Sequence, residues 1–141
     1  MNRYVLPLSG LLAATCASAQ DILPGLWEIT LETRVEGAEG IAPAPYMMNH
    51  CLSAADARDP SRVLGPLANP EASGCTYSDK RYAGSTFRFS MECSGVLNLK
   101  TQGEVSFSET RMSGSMTTSG SLMGQSTQIR SLISAQRLGG C

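Results

Sequence analysis

The sequence predicts a mainly β domain: an antiparallel meander of about seven or eight strands, curled into a small barrel-like or half-barrel form, with short helices between strands two and three. Three observations carry this. Large and polar residues alternate with period two in run after run, as in "GLWEITLETRV" and "TFRFSMEC". That period places alternate side chains on opposite faces of a strand. The pairs "SG", "QG", "SG" and "MG" recur through the second half of the chain, at the spacing of a meander with short turns. Four cysteines follow an apolar leader in a chain of 141 residues, the pattern of a small domain stapled by disulfides.

Residues 1–19 read as a secretory signal peptide. Arg3 supplies the positive start, "YVLPLSGLLAAT" an apolar stretch too short to span a bilayer, and Ala17-Ser18-Ala19 the small-x-small cleavage pattern. The expected mature chain is one domain, residues 20–141, placed in the periplasm or secreted. A rival reading makes Cys16 a lipid-modified N-terminus. It has Thr15 and Ala13 where such signals usually carry a small residue and a leucine.

In the first predicted strand Trp27, Ile29, Leu31 and Val35 share one face, while Glu28, Thr30, Glu32 and Arg34 share the other. "EGAEGIAPAP" breaks the run and "YMMNHC" resumes as a short extended segment. Ser53 and Asp56 form a capping-box signature ahead of "AADAR", and Pro60 suits the first turn of "PSRVLGPL". Next come two runs, "CTYSDKRY" and "TFRFSMEC", on either side of "AGS". Further along, Val105 and Phe107 alternate, then Met112, Gly114 and Met116, and a longer run closes the chain through Ile129. Serine and threonine fill the outward positions, as a water-facing sheet surface permits.

The hairpin suggests a disulfide. A three-residue loop centred on Gly84 sets Cys75 opposite Cys93, within reach of a bridge across antiparallel strands. Cys51 is then left with Cys141. The other pairing, Cys51–Cys75 with Cys93–Cys141, stays open because a register can slip by one residue. Four zinc-binding thiolates fit poorly: no close C-x-x-C pair occurs.

Charge narrows the partners. The chain carries 11 Lys and Arg against 12 Asp and Glu, a net −1 that becomes −2 once Arg3 leaves with the leader. Both signs are scattered and no basic run tracks a phosphate backbone, so nucleic acid is disfavoured. No later segment is apolar for long enough to be a transmembrane span.

His50 is the single histidine and sits in "YMMNHC". Thioethers with an imidazole suit copper(I), but Met47 and Met48 point to opposite faces of a strand, which leaves Met48 with His50. No "GxSxG" elbow is present, and Glu28 and Glu32 lie about 13 Å apart at strand rise. Trp27, Met91, Met112 and Met116 are the ligand-facing candidates, since thioethers adapt to apolar surfaces. The plain alternative is that all four fill a core.

"PGLWE" soon after the leader, "CL" after a short strand, the C-x17-C hairpin ending in "CSG" and the closing "RLGGC" together resemble the bacterial exported family called domain of unknown function 3617. The resemblance runs from about Pro24 to Cys141. It implies an exported, cysteine-bearing domain without an established activity, and it carries over no catalytic residues. One departure bears on register: Ala83-Gly84-Ser85 stands where relatives more often read Ser-Gly-Asn.

Two classes of function follow as expectations. The first is a non-catalytic binding module of the cell envelope, taking an apolar small molecule or an envelope protein, with no cofactor. The second is a small hydrolase or metal handler built on His50.

Overall fold

The computed structural model describes residues 22–37, 43–68, 75–94, 98–122 and 124–141. The signal peptide expected over residues 1–19, with Cys16, and the residue Met123 lie outside them. Strands β1 (Gly25–Val35) and β2 (Tyr46–Leu52) precede two short helices, α1 (Ala54–Arg58) and α2 (Ser61–Ala68). Five strands follow: β3 (Cys75–Ala83), β4 (Thr86–Cys93), β5 (Leu99–Phe107), β6 (Arg111–Leu122) and β7 (Gln125–Gly139). All pairings are antiparallel, and one seven-stranded sheet runs in the order β2-β1-β7-β6-β5-β4-β3. The chain is mainly β, with the helices between the second and third strands. The sheet is not closed into a barrel; β2 and β3 remain its two edges.

The period-two pattern sorts the two faces. On one face Ile29, Ala135, Met112 and Phe107 form a row across β1, β7, β6 and β5. Beside it run Leu31, Ile133, Gly114, Val105, Phe87 and Tyr82. This face holds the core, and Ala57 of α1 with Val63 and Leu64 of α2 join the same buried cluster. Burying so much apolar surface is the main favourable term in folding.

Several of the expected turn signals are not turns. The glycine of "QG" at Gly103 lies inside β5, and Gly120 lies inside β6, as does Gly114, which the alternation with Met112 and Met116 places on a strand. They are there because the core leaves no room for a side chain. A Cβ on Gly103 would come within 2.6 Å of the Phe89 ring, and one on Gly114 within 2.2 Å of the Glu104 carbonyl oxygen. Glycine inside a strand commonly marks such a close approach.

The β3–β4 hairpin corrects the expected loop. Ala83 pairs with Thr86, so the turn has two residues, Gly84 and Ser85, rather than the three-residue loop Ala83-Gly84-Ser85. Gly84 has φ 59°, the left-handed value that two-residue hairpin turns of the primed type demand. That turn alone would set Cys75 one position out of step with Cys93. A register shift between Tyr77 and Asp79 inserts Ser78 as an extra residue and restores the match, so Cys75 does face Cys93.

The capping box forms as expected: the Ser53 Oγ accepts from the Asp56 amide at 3.1 Å, and the Asp56 carboxylate accepts from the Ser53 amide at 3.4 Å. Pro60 sits one place earlier than expected. Its carbonyl accepts from the amides of Val63 and Leu64, so it caps α2 rather than opening its first turn.

Both disulfides follow the first pairing: Cys75–Cys93 with Cα atoms 4.0 Å apart, and Cys51–Cys141 with Cα atoms 5.8 Å apart. The second ties β2, which among the described residues pairs only with β1, to Cys141 beyond β7.

Candidate functional site

The polar face of the sheet carries an open groove of about 550 Å³. Its floor is a row of hydroxyls made by register alone. Thr30 of β1 stands opposite Ser134 of β7, Ser134 opposite Ser113 of β6, and Ser113 opposite Ser106 of β5. Thr86 of β4 extends the row, its Oγ1 lying 3.3 Å from the Ser106 Oγ. Neighbouring strands lie about 4.8 Å apart, so the row repeats at that interval. A second row, Glu28, Gln136 and Arg111, flanks the first. Gln136 Nε2 donates to the Glu28 carboxylate at 3.1 Å, and Ser108 Oγ accepts from the Arg111 amide at 3.1 Å.

The groove thus offers hydroxyls that donate or accept, one carboxylate and one guanidinium. None of its serines has an imidazole beside it in the lining, the group that would take a proton during nucleophilic attack.

Of the four ligand-facing candidates, Met112 alone reaches this groove. Trp27, Met91, Met112 and Met116 are all buried in the core cluster. Trp27 is fully enclosed, and its Nε1 donates to the Leu23 carbonyl at 3.0 Å. Met112 also lines the groove, together with Phe107 and Ala135. Met91 and Met116 do not reach it. Serine and threonine were legible as outward residues; their alignment in one row was not, because it depends on four strand registers at once.

Met48 and His50 face the core side of β2, opposite Ile29 and Trp27, while Met47 faces the other way. Cys51 is held in its disulfide. Among the described residues no group of three or more His, Cys, Asp or Glu is gathered for a metal ion.

A second polar cluster was not foreseen. The Asp59 carboxylate, at the end of α1, accepts from Ser61 Oγ and, at 2.9 Å, from the Tyr82 hydroxyl. Tyr77 donates its hydroxyl to the Ser61 carbonyl, so β3 is pinned to the start of α2. The ring of Tyr82 stacks on Phe87 with centroids 4.5 Å apart. The Ser61 hydrogen bond, then those from Tyr82 and the charge of Lys80, hold the Asp59 carboxyl below the usual carboxylate range against a smaller opposing effect of burial. Burial first, then the Asp59 carboxylate, push the Tyr82 phenol above its usual range.

These directions fix a pH dependence. A carboxyl with a lowered folded pKa binds fewer protons folded than unfolded, so its stabilisation is present above the ordinary carboxylate range and lost as pH falls through the folded value. For Tyr82 the folded state holds its proton longer, so stability falls as pH rises past the usual phenol range. Urea titrations of wild type and Asp59→Asn should therefore differ at pH 7, by about 1 kcal/mol, and converge in acid. A difference that persists unchanged at pH 2 would contradict the cluster's role.

The fold and groove define a class: a small, twice-stapled antiparallel sheet domain with a polar open face. The family described as "Protein of unknown function (DUF3617)" matches residues 22–141, and the chain belongs to that family. No curated protein and no solved structure matches it. Among the described residues no helix is long and apolar enough to cross a membrane.

Proposed function

We propose that this domain is exported to the cell envelope and acts there as a non-catalytic binding module whose partner is a protein. The supporting observation is the groove: residues of four strands converge on it, and hydroxyl, amide and charged groups line it beside Phe107, Met112 and Ala135. Non-obligate protein interfaces are about as apolar as the rest of a protein surface and carry direct and water-bridged hydrogen bonds, so a groove of mixed hydroxyl, charged and apolar lining is compatible with one. An apolar small molecule instead needs a chamber lined by apolar side chains. The four residues expected to line one all belong to the buried core cluster, and of them Met112 alone also lines the groove.

The test uses the disulfide-intact protein exported by its own host. Fractionation should recover it outside the cytoplasm, with all four mature cysteines resistant to iodoacetamide until reduced. Cross-linking and peptide mapping should then join one partner polypeptide to segments 106–113 and 134–136. Paired Ser113→Arg and Ser134→Arg substitutions on the exposed face should abolish the cross-link while leaving the fold intact. A co-purifying lipid, or a stoichiometric metal lost in His50→Ala, would overturn this reading.

A further inference from the structure

The groove lining holds two charges, Glu28 and Arg111. Register sets Glu28 of β1 opposite Gln136 of β7, and Gln136 opposite Arg111 of β6. The two charged residues therefore stand two strand intervals, about 10 Å, apart. Gln136 donates to one oxygen of the Glu28 carboxylate and leaves the other without a partner among the described residues.

The Arg111 guanidinium has no partner at all among them. It enters no ion pair, and neither does Glu109 in the adjoining turn. Towards β3 the same face behaves differently: Arg81 meets Asp79 at 3.2 Å, Arg88 meets Glu104 at 2.7 Å and Lys100 meets Glu92 at 3.9 Å. Arg34 and Arg130 also lack a carboxylate, but they face each other further along β1 and β7, outside the groove lining. The hydroxyls near Arg111 divide in the same way. Thr86 and Ser106 lie within bonding distance of each other, and Ser108 bonds to the Arg111 backbone. The side chains of Thr30, Ser113 and Ser134 bond to nothing among the described residues.

A chain seated in this groove strips water from both charges. That is costly unless the incoming surface supplies the opposite charge to each. Resting on the reading of the groove as a protein-binding surface, we propose that it takes a segment of mixed charge. An Asp or Glu of the partner sits on Arg111 and a Lys or Arg of the partner sits on Glu28, about 10 Å apart. Ser113 and Ser134, beside Arg111, donate to that carboxylate and to the segment's backbone carbonyls. The charge pattern also gives specificity and direction. An all-acidic segment meets Glu28 as a like charge, an all-basic one meets Arg111, and a reversed segment meets both.

Panning displayed random peptides of about twelve residues against the mature, oxidised domain tests this with probes of known sequence. Peptides that slow amide exchange in segments 106–113 and 134–136 should carry both an acidic and a basic residue. Their affinity should fall about tenfold or more in Arg111→Gln and in Glu28→Gln, and should weaken with added salt. Arg111 is exposed and its guanidinium supports no contact, so circular dichroism should be unchanged. The double variant Glu28→Arg, Arg111→Glu should reject these peptides and accept versions whose acidic and basic residues are exchanged. Groove-binding peptides without an acidic residue, or an affinity indifferent to Arg111→Gln, overturn the proposal while leaving the groove a protein-binding surface. A library that yields no peptide on the groove overturns the proposal together with the reading it rests on.

Discussion

Replacing Cys51 and Cys141 together by alanine should lower unfolding stability by up to about 4–5 kcal/mol, the larger of the two disulfide effects. The bridge spans 90 residues of sequence, so it removes more freedom from the unfolded chain than Cys75–Cys93, which spans 18 and should contribute about 3 kcal/mol. It also has a local task. Among the described residues β2 pairs with β1 alone, and Cys51 is bonded to Cys141, just past the end of β7. Without that bond the edge strand should open first. Urea unfolding gives the global cost, and amide exchange gives the local one as faster exchange at residues 46–52 than at 101–107. A double variant within 1 kcal/mol of wild type, with β2 still protected, would show that the staple does neither.

Trp27→Ala should cost about 3–5 kcal/mol, the range for removing a large buried aromatic side chain. Trp27 is fully enclosed, and its indole N–H anchors the Leu23 carbonyl. The adjacent amide of Leu23 donates to the Glu109 carbonyl at 3.0 Å, and Ile22 lies in the core. Truncation therefore opens a cavity and also frees the segment that leads into β1. Trp27→Phe separates the two effects: it keeps most of the volume but loses the hydrogen bond, at about 1–2 kcal/mol. If Trp27 floored a ligand chamber, alanine would instead leave stability nearly intact and abolish binding. Thermal or urea unfolding of the two variants decides between these.

The strands were legible because water on one side and a core on the other impose period two on the residues themselves. Trp27, Ile29 and Leu31, or Phe87, Phe89 and Met91, declare one face without any knowledge of neighbours. The capping box of α1 was legible for a similar reason: Ser53 and Asp56 satisfy each other's backbone groups within four residues. The Cys75–Cys93 bridge was legible as a pair but not in its mechanism. A two-residue turn and the extra Ser78 arrive at the register that a three-residue loop was expected to give. Two local irregularities cancel, and neither has a strong signature in "CTYSDKRYAGS".

The turn reading of "QG" at Gly103 failed on tertiary grounds, whereas Gly114 was already legible on a strand face with Met112 and Met116. Glycine serves both tight turns and close packing, and only the Phe89 ring beside Gly103 shows which use applies. The Asp59–Ser61–Tyr82 cluster was hidden because its members come from a helix end and a distant strand.

Alternation, capping and cysteine count are properties of short stretches, and the amino-acid order by itself determined them: a β domain, two small helices after the second strand, and two staples. The placement of β1 between β2 and β7, the open sheet, and the hydroxyl row of the groove were decided only in the folded molecule. They depend on long-range pairings, as far apart as Leu26 with Gly139, where the free energy lies in burial and backbone hydrogen bonds shared by the whole sheet.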